Sequence, residues 1–156
     1  MDLEEELRQR LRGKVLVVGA GNTLRGDDAA GPAVVAALEG RVNAALLDVG
    51  EVPESYTGRI LAAQADTMVL IDAADFGAAP GDVAVLETED IAGGSLSTHQ
   101  LPLDLFFRYL KENSQAAIFG LGIQPAQLTL GAPLSAAVAS SVEALAQLLQ
   151  SLLAQE

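Results

Sequence analysis

The feature that most constrains this chain is a repeated alternation of buried-strand and helical patterns. Apolar, β-rich runs at Lys14 to Val18, Ala44 to Leu47 and Thr67 to Ile71 break, respectively, at Gly19-Ala20-Gly21-Asn22, at Asp48 and at Asp72. Between them lie helical segments: one opened by Asp27 and Asp28 and running to about Leu38, with Pro32 tolerated in its first turn or so, and a weaker one from about Ser55 to Gln64, interrupted by Gly58. Strands alternating with helices imply crossover units, hence an α/β chain with a parallel sheet and helices on both faces. The alternation then breaks. Residues 72–81 contain Gly77, Pro80 and Gly81 and no helical pattern, so the next strand, Val83 to Leu86, is expected to be antiparallel, because a parallel return needs a longer crossover.

The remaining elements follow from periodicity. Leu103, Phe106, Phe107 and Leu110 mark a helix, with Pro102 near its start and His99 just before it. Ala116 to Leu121 reads as the last strand, 122–133 as a long loop, and Ser135 to Leu153 as a final helix with Val138, Val142, Leu145 and Leu149 on one stripe. A short helix over 2–12, acidic first and basic last, leads into the fold. The 156 residues fit a single domain over 1–156.

Composition narrows the function. With no cysteine, thiol catalysis and thiolate metal sites are excluded, and any hydrolytic chemistry must use oxygen or nitrogen groups. A formal charge of -12 argues against nucleic acid or an anionic membrane as partner, and favours a cationic partner or a metal. The N-terminus is acidic where a signal peptide is basic, and no apolar run approaches the roughly 18 residues of a membrane span, so the expected location is cytoplasmic.

In open α/β sheets, ligands bind beyond the carboxyl ends of the strands. Asp28 follows the first strand, Asp72 closes the third and His99 precedes a helix, so topology sends all three to one edge. Two carboxylates and an imidazole form an O, O, N donor set suited to a divalent metal with open positions. Each residue alone has a plainer role: Asp27 and Asp28 as helix caps, Asp72 as a partner of its own loop, His99 as a structural or exposed side chain. Gly19-Ala20-Gly21 resembles the start of a dinucleotide fingerprint, but the next glycine is Gly26 and two acids follow where a pyrophosphate would sit. A P-loop, a Gly-x-Ser-x-Gly elbow and a His-Glu-x-x-His motif are absent.

Four blocks carry a resemblance to a known family. Val17 to Gly31, reading VVGAGNTLRGDDAAG, is similar to the signature of the nickel-iron hydrogenase maturation endopeptidases; Ile71-Asp72-Ala73 with Pro80-Gly81, Ser97-Thr98-His99, and Gly122-Ile123-Gln124-Pro125 match further blocks in order. The resemblance covers about residues 14–150 and leaves the leading helix, 1–12, outside it. It implies a three-layer α/β/α fold of the phosphorylase/hydrolase-like type, with a five-stranded, mostly parallel mixed sheet containing one antiparallel strand. The implied activity is an endopeptidase that removes a C-terminal extension from the nickel-loaded precursor of a hydrogenase large subunit. The resemblance makes Asp28, Asp72 and His99 the catalytic and metal-contacting residues, with Asp27, Asn22, Thr98 and Gln124 as neighbours of the site. Nickel is expected to arrive with the substrate, and cadmium or zinc to substitute for it in a crystal. The rival readings are a nickel-binding checkpoint or chaperone without peptidase activity and a nucleotide-binding α/β module.

Overall fold

Strand β1 (Val15–Ala20) is buried at every position, as a central strand covered on both faces must be. It pairs in parallel with β2 (Ala45–Gly50) on one side and β3 (Thr67–Asp75) on the other, and β3 pairs in parallel with β6 (Ala117–Ile123). The short β4 (Val83–Leu86) closes the sheet antiparallel to β6, as the missing crossover helix predicts. The resulting order is β2-β1-β3-β6-β4, while β5 (Ser97–Thr98) pairs antiparallel with the end of β3, opposite Asp75 and Ala74, outside this path. This computed structural model describes residues 1–92, 97–98 and 103–154.

Helices cover both faces. On one face α2 (Ala30–Leu38) and α6 (Ala136–Leu152) enclose a core with Val17, Val69, Ile71 and Phe119; on the other, α3 (Thr57–Ala62) and α5 (Leu103–Asn113) enclose one with Leu16, Val18, Met68 and Leu70. Successive strand residues thus alternate between the two cores, as the pleat requires. The leading helix α1 (Leu3–Arg10) belongs to the first core through Leu7, which is wholly buried. Its Arg10 pairs with Glu87 and lies over the Phe119 ring, 5.1 Å from the centroid. Among the described residues no helix is long and apolar enough to cross a membrane.

Several elements differ from the sequence expectation. Strand β3 does not stop at Asp72 but continues to Asp75, because Asp72 and Ala73 still pair with Gly122 and Ile123 of β6. Asp27 and Asp28 do not open an α-helix; they lie in a 3-10 turn, Gly26–Ala29, that precedes α2. A second 3-10 turn, Pro53–Tyr56, precedes α3, which retains Gly58 within it. The five-residue α4 (Thr88–Ala92) and the two-residue β5 carry too few periodic positions to be read from sequence.

One glycine sets the distance between α2 and the sheet. A Cβ on Gly31 would stand 2.3 Å from the Ile71 carbonyl oxygen and 2.5 Å from that of Ala20, neither of which can move aside as a flexible side chain does. Gly31→Val is therefore expected to cost about 3 kcal/mol, the upper end for overpacking. Thermal melting checks this: an unchanged midpoint would mean that α2 does not approach β1 and β3 so closely.

Candidate active site

The carboxyl ends of β1 and β3 bring two aspartates together inside the protein. Asp28 is fully buried in the Gly26–Ala29 turn, and Asp72, on β3, is 3% exposed. The turn packs against β3. By pleat parity Asp72 shares the face of Met68 and Leu70, covered by α3 and α5, whereas Asp28 enters from the α2 side. They are close enough that the Asp28 charge acts on Asp72. Burial first, and Asp28 second, push the Asp72 carboxyl well above the usual carboxylate range; the Ala73 backbone amide pulls weakly the other way without meeting hydrogen-bond geometry. Among the described residues neither Asp72 oxygen has a hydrogen-bond partner.

Glycine makes room for this arrangement. Gly21 has φ +145°, and a Cβ there would fall 1.9 Å from the Asp28 carbonyl oxygen, so the chain leaving β1 lies directly on the aspartate turn. The next residue, Asn22, donates its backbone N–H to Asp28 Oδ2 at 2.9 Å, while its own side-chain oxygen accepts the Leu24 N–H. Asn22 thus touches the site through its backbone, and its amide shapes the turn.

Asp27 has a different task from Asp28. Its carboxylate, also fully buried, accepts the backbone N–H groups of Ala126 (2.8 Å), Gln127 (3.2 Å) and Ser135 (2.7 Å) and the Ser135 hydroxyl (2.9 Å). Ser135 caps α6, so one carboxylate ties the aspartate turn to the loop after β6 and to the start of the last helix. Backbone bonds from Gly26 to Ala132, Asp27 to Gln127 and Gly131 to Leu24 complete the strap. Gln124, buried at the end of β6, accepts the N–H groups of Phe76 and Ala78 and donates to Asp75 Oδ1, holding the connection from β3 to β4 rather than reaching either site aspartate.

His99 lies outside the described residues, and of Thr98 only the backbone pairing with Ala74 is described. That pairing runs the chain just before His99 alongside the strand that carries Asp72. Among the described residues no cluster of three or more His, Cys, Asp or Glu side chains forms a metal site. The two aspartates nonetheless suit a cation: a buried carboxylate with both oxygens unsatisfied, beside a second acid, is stabilised by a positive charge between them.

Two outcomes are expected from these carboxylates. Because the folded-state pKa of Asp72 is raised, the unfolded chain ionises first, and stability is lost as pH climbs from the unfolded value near 3.8 through the folded one. Asp72→Asn should therefore melt higher than the parent at neutral pH in metal-free buffer, with the gain shrinking as pH falls toward about 4 and gone below it. An equal gain at every pH would contradict a buried, destabilised carboxylate. Asp27→Ala should instead cost at least about 3 kcal/mol, since it strands buried donors, with urea unfolding as the check.

Comparison with known proteins agrees with this architecture. The HycI family model, hydrogenase maturation protease, matches residues 32–152. The hydrogenase 3 maturation protease of Escherichia coli K12 is 32% identical over 133 residues, 83% of this chain and 85% of that protein. The crystal structure of the [NiFe] hydrogenase maturation protease HycI from Thermococcus kodakarensis superposes with a TM-score of 0.87 at 34% identity, covering 95% of this chain and 98% of that one. The E. coli hydrogenase maturating endopeptidase HybD superposes with a TM-score of 0.73 at 26% identity, over 88% of this chain and 90% of that one.

Proposed function

The chain belongs to the hydrogenase maturation proteases, and from that premise we propose that it removes the C-terminal extension of a nickel-loaded hydrogenase large-subunit precursor, meeting the substrate's nickel with Asp28, Asp72 and His99. The observation that carries this reading is the buried Asp72 carboxylate, unsatisfied among the described residues and placed beside Asp28. Among the described residues no Arg or Lys is paired with Asp72, and a cation that arrives with the substrate takes that role. His99 completes the set as a neutral nitrogen donor, and its place in the chain, directly after the β5 residue that pairs with Ala74, supports its inclusion.

The residues of this chain act by positioning. Gly21 and Gly31 let the aspartate turn and α2 seat against β1 and β3, and the Asp27 strap keeps the turn from shifting. Asn22 orients Asp28 by donating its backbone N–H to Oδ2. A nickel ion held by the precursor would supply Lewis acidity next to the bond to be cut. Since nickel arrives as cargo, a precursor lacking it has no anchor here, and cleavage reports that loading is complete. Cadmium or zinc, which accept the same donors, are the expected substitutes in a crystal.

The deciding experiment incubates the protein with nickel-loaded and nickel-free precursor and follows loss of the extension by mass spectrometry. Cleavage of the loaded form alone is the expected result. Asp28→Ala, Asp72→Ala and His99→Ala should each abolish cleavage while leaving the circular dichroism spectrum intact. Stable complex formation without cleavage by the parent protein would replace the protease reading with a nickel checkpoint, and full cleavage by two of the three variants would overturn the site.

A further inference from the structure

Exposed apolar side chains are not scattered over this protein. Among the described residues six large hydrophobics are exposed, and apart from Met1 all lie toward the carboxyl edge of the parallel strands: Leu24 after β1, Val52 after β2, Leu130 after β6, and Leu105 and Tyr109 one turn apart in α5. The α5 helix runs antiparallel to the strand it feeds. Its last residues meet the end of α3 around Asn113, Gln64 and Asp66, so its first turns and the start of α3 stand at the opposite edge, with Asp28 and Asp72. There the two helices leave a groove of about 420 Å³ lined by Glu54, Thr57, Leu105, Phe106 and Tyr109. It opens on the same sheet face as Asp72.

Charge says what the groove faces. The described connections at this edge carry exposed Glu51, Glu54 and Asp82, with Asp75 at the end of β3, against a single base, Arg25. Of the nearby helical bases, Arg59 lies over the Tyr56 ring, 5.4 Å from its centroid, and Arg108 is exposed on α5. An apolar slot in an acidic rim complements a segment that is apolar at one position and basic around it.

We infer that this groove receives an apolar side chain from a basic stretch of the precursor, seating the substrate while its scissile region is presented to Asp28 and Asp72. The inference rests on the protease reading above, but it concerns a different surface. The apolar anchor supplies affinity, and the acidic rim speeds encounter in a salt-dependent way.

Two measurements test it. In cleavage of nickel-loaded precursor, the double variant Leu105→Ser/Tyr109→Ser should raise KM about tenfold, the effect of losing one modest anchor, at little change in kcat. Glu51→Lys/Glu54→Lys should raise KM most at low ionic strength. The second measurement does not depend on cleavage: fluorescence anisotropy of two short labelled peptides with the same leucines, one bearing lysines and the other glutamates. The lysine peptide should bind the parent protein and lose that binding to Leu105→Ser/Tyr109→Ser, whose net charge is unchanged; the glutamate peptide should not bind. An unchanged KM in both variants, or lysine-peptide binding indifferent to the loss of Leu105 and Tyr109, overturns the groove. Absence of cleavage by the parent protein with intact peptide discrimination overturns the protease reading and leaves the groove standing.

Discussion

Two carboxylates lie buried close together at the end of a parallel sheet, and much of the structure around them exists to make that tolerable. Burying one ionised carboxylate without a partner costs several kcal/mol, and a like charge beside it adds to the cost. Net stabilities of domains this size are only about 5–15 kcal/mol. The raised pKa of Asp72 is the direct consequence: burial and the neighbouring Asp28 both favour the protonated form. A divalent cation would reverse that balance, because it would turn the worst feature of the site, two neighbouring buried acids, into a ligand set.

Holding such a pair in place requires rigidity from groups that do no chemistry. Gly21 and Gly31 remove the volume that would keep the turn and α2 away from the strand ends. Asp27, adjacent in sequence to Asp28, turns the opposite way and gathers four donors from a segment about a hundred residues later. Adjacent aspartates thus divide the work: Asp27 ties the turn to the later segment, and Asp28, which accepts the Asn22 N–H, lies near enough to Asp72 for its charge to act there. Gln124 performs the same service for the β3–β4 connection.

Much of this is legible in the sequence, and the exceptions have physical causes. The alternation of apolar runs and helical patterns sufficed for the parallel strands, and the short, Gly- and Pro-containing 72–81 connection for the antiparallel β4. Asp72 reads as a strand end because aspartate is rare inside strands; only pairing with Gly122 and Ile123, fifty residues away, shows that β3 runs on. The contrast between Asp27 and Asp28 is invisible in the dipeptide, since it depends on where Ser135 and the 126–127 amides arrive. The amide of Gln124 likewise finds its partners only once β3 and β6 are paired. The apolar groove between α3 and α5 carries no local signal, because Leu105 and Tyr109 sit on the same periodic helix as the buried Phe106 and Leu110.

The most direct test of the account is a cadmium-soaked crystal of the metal-free protein, read by anomalous diffraction. A single strong peak is expected within bonding distance of one carboxylate oxygen from Asp28 and one from Asp72, with the His99 ring as a third donor. A peak confined to surface acids, or site aspartates that remain metal-free at saturating cadmium, would contradict it.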